Sequence, residues 1–579
     1  MRFRTRAHWA DFRRPHRTPS VLLAVLALLL LGGSGAAVAQ TASPATPTRA
    51  ATEPSVVTPK VDCAALASQD LSGVPGAPAV IGTASVVTAP QGWEACDVKG
   101  TVAPQIQFEV LLPTKTWRQR YLQTGCGGFC GSLSINAQAA TGCVPLTRGD
   151  FVMASNNEGH VGAGGFDGVF GADPQLRVDY GYRSDHAVSM VVKQLIKIYY
   201  GQGPRYSYFD GCSQGGHQGL TEAQRYPGDF DGIVAGAPAS IFTALNVWYQ
   251  GWNALANTDA KGGPILTAGK LPALHAAVLA ECDGKDGLVD GQIDDPRACT
   301  FDPASLRCAG ADSPSCLTAA QVDVVRKLYA GPRDERGRRM YPGGQAMGSE
   351  LAWIAWVVPP APGATTITQN IAINTIKYLA FRSPRPTMTL RDLRFDAATF
   401  RTTAEQSGIY DATDPDLSAF RARGGKLILW HGWADQAISP YGTVAYYHAV
   451  TERMGGRQAT EKFARLFMLP GVNHCGGGQA PNTFDALTPV LDWVERGVAP
   501  DRLVATETQN GSVVRTRPIF PYPLVARYDG TGSTDDAVNF TATPPPVNYN
   551  DAIPWLGSFR SGYEETCAWK DGHWVCHRA

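Results

Sequence analysis

The chain has 579 residues, 51 basic and 51 acidic, with a formal net charge of +0 and 44% hydrophobic residues. That length excludes a single small domain and accommodates a large core with an insertion. The balanced charge excludes the basic footprint of a nucleic-acid binder or a polybasic membrane face, so a small organic molecule is the expected partner.

The first predicted element is a leader. Arg2, Arg4, Arg6, Arg13, Arg14 and Arg17 precede an apolar run from Val21 to Leu31, and Ala37-Val38-Ala39 offers a small-residue cleavage site before Gln40. This three-part pattern predicts a secretory signal over 1–39 and a secreted or periplasmic protein. The apolar run is short for a bilayer span, and no other stretch is apolar enough for a membrane helix. Arg13-Arg14 leaves twin-arginine export open beside the general route. Residues 40–60, rich in Ala, Thr and Pro, read as a flexible leader.

Strands then alternate with helices. Ile106–Leu112, Tyr121–Thr124 and Phe151–Ala154 read as strands, and Asp185–Tyr200 is apolar at helical spacing. The aromatic run Tyr206–Asp210 predicts another strand, followed by Gly211-Cys212-Ser213-Gln214-Gly215 and a helix over His217–Arg225. Strand, tight glycine turn and helix form the setting in which a serine sits on a strained elbow with its hydroxyl exposed at the end of a sheet. Ile233–Pro238 reads as the next buried strand.

The alternation breaks over 239–413, a stretch of many Trp, Pro and Gly residues with a cysteine-bracketed acidic loop. It resumes at Lys426–Trp430 and Arg465–Leu469. The pattern predicts an α/β fold with a doubly wound, mostly parallel sheet. A catalytic domain over 61–238 and 414–579 would be interrupted by a lid over 239–413, lying where the strands' carboxyl ends bind ligands.

A serine hydroxyl needs a base, and the base needs a third group to fix its tautomer. In an elbow fold the chain order is Ser, acid, His. Beyond the insertion and before the C-terminal residues stand His431, His448 and His474. His448 lies in a helical stretch and His431 ends a strand. His474 occupies a loop of small residues after the strand Arg465–Leu469, and Asp435 lies just past its own strand. The expected triad is therefore Ser213 as nucleophile, His474 as general base then acid, and Asp435 as the group that orients it. The backbone N–H of Gln214 is the expected first oxyanion donor. Gly125, in the glycine loop after Tyr121–Thr124, is the expected second.

All 13 cysteines lie beyond the cleavage site, which predicts disulfides and at least one unpaired thiol. At the C-terminus, Cys567 and Cys576 flank Asp571-Gly572, a hairpin turn pair. Register about that turn places the two cysteines opposite each other at a non-hydrogen-bonded position, which suits a disulfide.

Cys212-Ser213, Asp435 and His474-Cys475, with Tyr180–Arg183, Asp231–Pro238 and Trp430–Asp435, resemble the tannase and feruloyl esterase family over nearly the whole mature chain. That family includes the mono(2-hydroxyethyl) terephthalate hydrolases. The resemblance implies an α/β-hydrolase and a serine carboxylesterase acting on galloyl, feruloyl or other hydroxycinnamoyl esters, with a terephthalate monoester as the alternative. It also implies a disulfide Cys212–Cys475 beneath the triad, which would fix the separation of nucleophile and base. The further implied pairs are Cys63–Cys96, Cys282–Cys299 and Cys308–Cys316. Cys126, Cys130 and Cys143 remain, with a Cys130–Cys143 bridge and a free Cys126 one arrangement.

The resemblance further implies a structural Ca²⁺ in the lid. The matching loop offers carboxylates from Asp283, Asp286 and Asp290 and carbonyls from Leu288 and Gln292, hard oxygen donors suited to that ion but not at EF-hand spacing. Trp248, Trp353 and Trp356 are candidates for stacking on an aromatic substrate, or lid core. Lys377, Arg382 and Arg385 are the lid cations a terephthalate carboxylate would want. The non-enzyme alternative is a ligand-binding protein on the same scaffold, against which the intact Ser, Asp and His argue.

Overall fold

The computed structural model describes residues 53–162, 165–361, 363–559 and the backbone of 565–570 and 573–578. The signal segment therefore lies outside the described residues. So does the Cys567–Cys576 disulfide, although the backbone register does set Cys567 opposite Cys576. No described helix is long and apolar enough to cross a membrane.

A nine-stranded sheet organises the described residues, which form one compact unit. In chain order its strands are β1 (Ala79–Thr88), β2 (Glu94–Val102), β3 (Ile106–Pro113), β4 (Arg120–Thr124), β5 (Phe151–Asn156), β6 (Tyr206–Cys212), β7 (Gly232–Gly236), β8 (Lys426–Gly432) and β9 (Ala464–Leu469). The spatial order is β1-β2-β3-β5-β4-β6-β7-β8-β9. β1, β2 and β3 pair antiparallel, as do β3 and β5, and every later pair is parallel. Every residue of β4, β5 and β7 is buried, as expected for strands covered on both faces. One core cluster joins β3, the helix Ser184–Tyr200 and the helix Pro440–Arg453; a second joins β5, β8, β9 and the helix Leu487–Arg496.

β7 and β8 are paired neighbours, yet 189 residues, 237–425, separate them in sequence. Within that stretch lie helices such as Gln250–Ala256, Leu271–Cys282, Ala319–Ala330 and Ile367–Asn374. They pack into apolar clusters of their own around Trp353 and around Trp248.

Two expectations shift. The elbow helix spans Gln214–Arg225, starting directly after Ser213 and three residues earlier than the apolar pattern suggested. Its first turn, Gln214-Gly-Gly, is poor in apolar side chains but buried, so tertiary packing extends it. The other shift concerns the flexible leader. Residues 53–60 lie against the core: Val57 N–H donates to Trp117 O at 2.9 Å and Lys60 N–H to Tyr199 O at 2.7 Å. Backbone bonds to distant elements carry no local sequence signature, so a Pro- and Thr-rich segment can still be pinned.

Candidate active site

Ser213 has φ 66° and ψ −119°, a left-handed backbone that a non-glycine residue adopts only when its surroundings enforce it. Its N–H donates to Gly236 O at 2.9 Å, and its carbonyl accepts from Ala239 N–H at 3.0 Å and His217 N–H at 3.1 Å. Close backbone contact leaves no room for side chains around it. A Cβ on Gly216 would stand 2.2 Å from Gly236 O, and one on Gly125 would stand 2.5 Å from Gly215 Cα.

Three strand ends converge at this elbow. His474, after β9, places Nε2 2.9 Å from Ser213 Oγ and Nδ1 2.7 Å from Asp435 Oδ2. Asp435, after β8, is fully buried, and its Oδ1 accepts from the N–H groups of Ala437 and Ile438, both at 2.8 Å. His431, a rival base by sequence, stands behind the acid instead. Its buried Nε2 lies 3.0 Å from Asp435 Oδ2 and its Nδ1 2.8 Å from Thr443 Oγ1. Burial alone would raise the Asp435 pKa, but attraction to His474 and the hydrogen bonds from His431 and His474 outweigh it and hold the carboxyl well below its ordinary range. His431 is the penultimate residue of β8, so a histidine near the strand end, four residues before the acid, was the available signal.

Cys212 and Cys475 form a disulfide with Cα atoms 5.9 Å apart, tying the residue before the serine to the one after the histidine. Cys63–Cys96, Cys282–Cys299 and Cys308–Cys316 are also bonded. The Cys130–Cys143 bridge with Cys126 free is corrected: Cys126 pairs with Cys130, Cα atoms 5.5 Å apart, closing the glycine loop on itself. Cys143 is free, buried in the second core cluster beside Leu146, and burial pushes its thiol up to about 11.

Gly125 lines the cavity, but its N–H continues the β4–β6 ladder and donates to Asp210 O at 2.9 Å. It is therefore not available as an oxyanion donor, and the Cys126 N–H is likewise taken, by Gln218 Oε1 at 3.0 Å. The next residue of that loop, Gly127, lines the same cavity and its N–H has no partner among the described hydrogen bonds. Gln214 heads the elbow helix at the same cavity. Its side chain turns away, with Nε2 3.1 Å from His217 Nδ1, and His217 Nε2 in turn lies 2.7 Å from Tyr410 O. Burial lowers the His217 pKa to about 4, so this ring joins the elbow to the end of the inserted segment as a neutral group.

The cavity over Ser213 has a volume of about 390 Å³. The glycine loop, Phe166, Phe242, Trp356, Ile371, Ser213 and His474 line it, and among the described residues its wall carries no Lys, Arg, Asp or Glu. Of the three tryptophans proposed for stacking, Trp356 alone is placed there, its ring centroid 5.7 Å from that of His474. Trp353 and Trp248 are fully buried in separate apolar clusters. Helical spacing could not distinguish a lining aromatic from a packed one. None of the three proposed cations reaches the cavity: Arg382 pairs with Glu405, Arg385 lies over the Phe381 ring, and Lys377 sits on the irregular helical turn Thr375–Leu379.

The acidic loop lies elsewhere, on no wall of this cavity. Asp283 Oδ2 accepts from Gly291 N–H at 2.9 Å and Asp286 Oδ1 from Leu288 N–H at 2.8 Å. Asp290 Oδ2 pairs with Arg517 at 2.5 Å while its Oδ1 is buried without a partner. Gln292 donates from its side chain to Asp294. Burial, with Asp290 and Asp283 nearby, raises Asp286 to about 6; burial and Asp286 raise Asp294 to about 7. Crowded carboxyls that resist ionisation, one with an orphaned oxygen, fit a hard cation.

The model of the family "Tannase and feruloyl esterase" matches residues 86–543. The chain is 34% identical to the mono(2-hydroxyethyl) terephthalate hydrolase of Piscinibacter sakaiensis, over 80% of this chain and 87% of that protein. It is 31% identical to a probable feruloyl esterase B-2 of Aspergillus terreus, over 76% and 85% respectively. The crystal structure of feruloyl esterase B from Aspergillus oryzae superposes with a TM-score of 0.71 at 29% identity, covering 80% of this chain and 97% of that one. With its parallel sheet, elbow serine and converging strand ends, the chain belongs to the tannase and feruloyl esterase family and is a carboxylic ester hydrolase of the α/β-hydrolase fold.

Proposed function

We propose that the protein cleaves aromatic carboxylic esters, galloyl or feruloyl and related hydroxycinnamoyl, through a Ser213 acyl-enzyme. The observation that carries this reading is His474 bridging Ser213 Oγ and Asp435 at hydrogen-bond distance on both sides, beneath an uncharged cavity with an aromatic wall. His474 Nε2 takes the serine proton as Oγ attacks the ester carbonyl, then protonates the departing alkoxide. It next takes a proton from water, whose oxygen attacks the acyl-enzyme carbonyl, and returns that proton to Ser213 as the acid leaves. Asp435 holds Nδ1 protonated and stabilises the imidazolium of each step. The N–H of Gln214 and that of Gly127, in place of Gly125, receive the oxyanion. Trp356 and Phe242 face the acyl ring.

Asp283, Asp286 and Asp290 with the carbonyls of Leu288 and Gln292 would hold a Ca²⁺ that braces the lid loop and takes no part in the chemistry. The five disulfides among the described residues support export, as the N-terminal pattern predicts. The terephthalate-monoester alternative has a relative of that name in its favour. It is the weaker reading, since no cation lines the described cavity wall to receive a free carboxylate.

The test is a panel of methyl gallate, methyl ferulate and mono(2-hydroxyethyl) terephthalate, with covalent labelling by a serine-directed fluorophosphonate. Turnover of either phenolic ester, with labelling lost in Ser213→Ala, is expected. Preference for the terephthalate overturns the substrate assignment. Absence of both labelling and turnover would favour a binding protein on this scaffold.

A further inference from the structure

Behind the glycine loop lies a group of fully buried polar side chains that the triad does not use. Gln218, one turn along the elbow helix from Gln214, accepts from Cys126 N–H with Oε1 at 3.0 Å and donates from Nε2 to Glu158 Oε1 at 2.5 Å. A backbone N–H can only donate, so the Gln218 amide is held in this orientation and Glu158 must accept. Asn156 bridges Glu158 to Asp185, and two buried carboxyl groups held this close, with no cation among the groups that act most on Glu158, favour sharing one proton.

The neighbours decide which group carries that proton. Asn156 Oδ1 accepts the Glu158 N–H at 2.8 Å, so Asn156 Nδ2 must be the atom that donates to Asp185 Oδ1, also at 2.8 Å. Gln123 Nε2 donates to the same oxygen at 2.7 Å, with Gln123 Oε1 occupied by the Tyr121 hydroxyl at 2.5 Å. Both donors fall on Asp185 Oδ1, whereas Glu158 Oε1 receives one, which favours the charge on Asp185 and the proton on Glu158. Glu158 itself has φ 58°, a left-handed conformation seldom adopted by a side chain of its size.

We propose that Glu158 is a positioning residue: a neutral carboxylic acid that joins Asp185 to Gln218 and thereby fixes the glycine loop at Cys126 against the elbow helix, so that the loop's next N–H faces the reacting carbonyl. The inference rests on the acyl-enzyme reading above. Burial, then the charges of Asp185 and Glu222, carry Glu158 well above the usual carboxylate range, in keeping with that protonation state. Tyr180 also packs near this carboxyl, and the groups that act most on Glu158 include no cation. A carboxylic acid and an amide offer the same pattern here, one acceptor and one donor. Glu158→Gln should therefore replace the side chain, whereas Asp185→Asn, its Oδ1 still accepting from Asn156 and Gln123, would turn an amide donor towards the proton carried by Glu158.

Steady-state kinetics on methyl ferulate test this in Glu158→Gln, Glu158→Ala and Asp185→Asn, with folding followed by circular dichroism. Glu158→Gln is expected to keep kcat close to the parent enzyme. Glu158→Ala is expected to lose roughly ten- to a hundred-fold in kcat with KM little changed, the cost of letting an oxyanion donor drift by about an ångström. Asp185→Asn should lose activity more than Glu158→Gln. A folded Glu158→Gln as impaired as Glu158→Ala would overturn the neutral-acid assignment, and so would an unimpaired Asp185→Asn. A folded Glu158→Ala with full kcat would overturn the positioning role. If Glu158→Ala does not fold, Glu158→Gln against Asp185→Asn still decides. A parent enzyme inactive on every ester of the panel would refute the esterase reading instead, a separate outcome.

Discussion

Removing the Cys212–Cys475 disulfide should weaken catalysis as well as stability, because the bond joins the immediate neighbours of Ser213 and His474. The two cysteines are 263 residues apart, so the bridge closes the whole insertion between β7 and β8, with β7, β8 and β9 themselves, into one loop. Chain entropy for a loop of that size gives about 5.5 kcal/mol, an upper bound because the unfolded chain retains its other cross-links. The catalytic effect has a separate origin. Ser213 Oγ and His474 Nε2 are 2.9 Å apart, and a shift of about 1 Å costs on the order of 10²-fold in rate. The perturbation is Cys212→Ala with Cys475→Ala, which leaves no stray thiol at the site. The assay is kcat/KM on methyl ferulate at a temperature where circular dichroism shows the variant folded, beside urea denaturation of both proteins. A large loss of kcat in folded protein is expected. A folded variant with unchanged kcat would show that the sheet alone sets the separation and would refute the reasoning.

Trp356→Ala should raise KM for methyl ferulate more than for methyl acetate, since one ring contact is worth about 0.5–1.5 kcal/mol; equal effects on both would remove Trp356 from the acyl site. Asp435 has a depressed pKa in the folded state. Its ionisation therefore contributes stability above the unfolded value of about 3.9, and that contribution falls away as pH drops below it. Asp435→Asn should accordingly flatten the acid limb of a melting-temperature profile, and an acid limb identical to the parent's would count against this. Chelation with EGTA should lower the melting temperature at neutral pH, with recovery on adding Ca²⁺ but not in Asp286→Asn. Indifference to chelator and to calcium would dismiss the ion.

Local chemistry made much of the sheet legible. β3, β4, β6, β8 and β9 begin or end within a residue or two of the apolar runs that announced them, because strands buried on both faces need continuous apolar sequence. β1 and β2 were not anticipated. Their exposed and half-buried positions, Thr, Ser and Lys among them, dilute any apolar run at the sheet edge. Ser213, Asp435 and His474 were visible because each follows a strand and the glycines around Ser213 serve a backbone that tolerates little else.

What the sequence by itself determined was the order of the chemistry: an elbow serine, then an acid, then a histidine, each at a strand end, in a neutral chain with a cysteine beside two of the three. These are local properties, set by periodicity, turn residues and spacing. The tertiary structure decided which groups are spent and which are free. It gave the Gly125 N–H to Asp210 and so removed it as an oxyanion donor, paired Cys126 with Cys130, and set His431 behind Asp435. It also brought Trp356, but not Trp248 or Trp353, to the cavity wall. A hydrogen bond or a ring contact depends on where two distant segments meet, and that position is settled only when the sheet closes and the insertion packs across it.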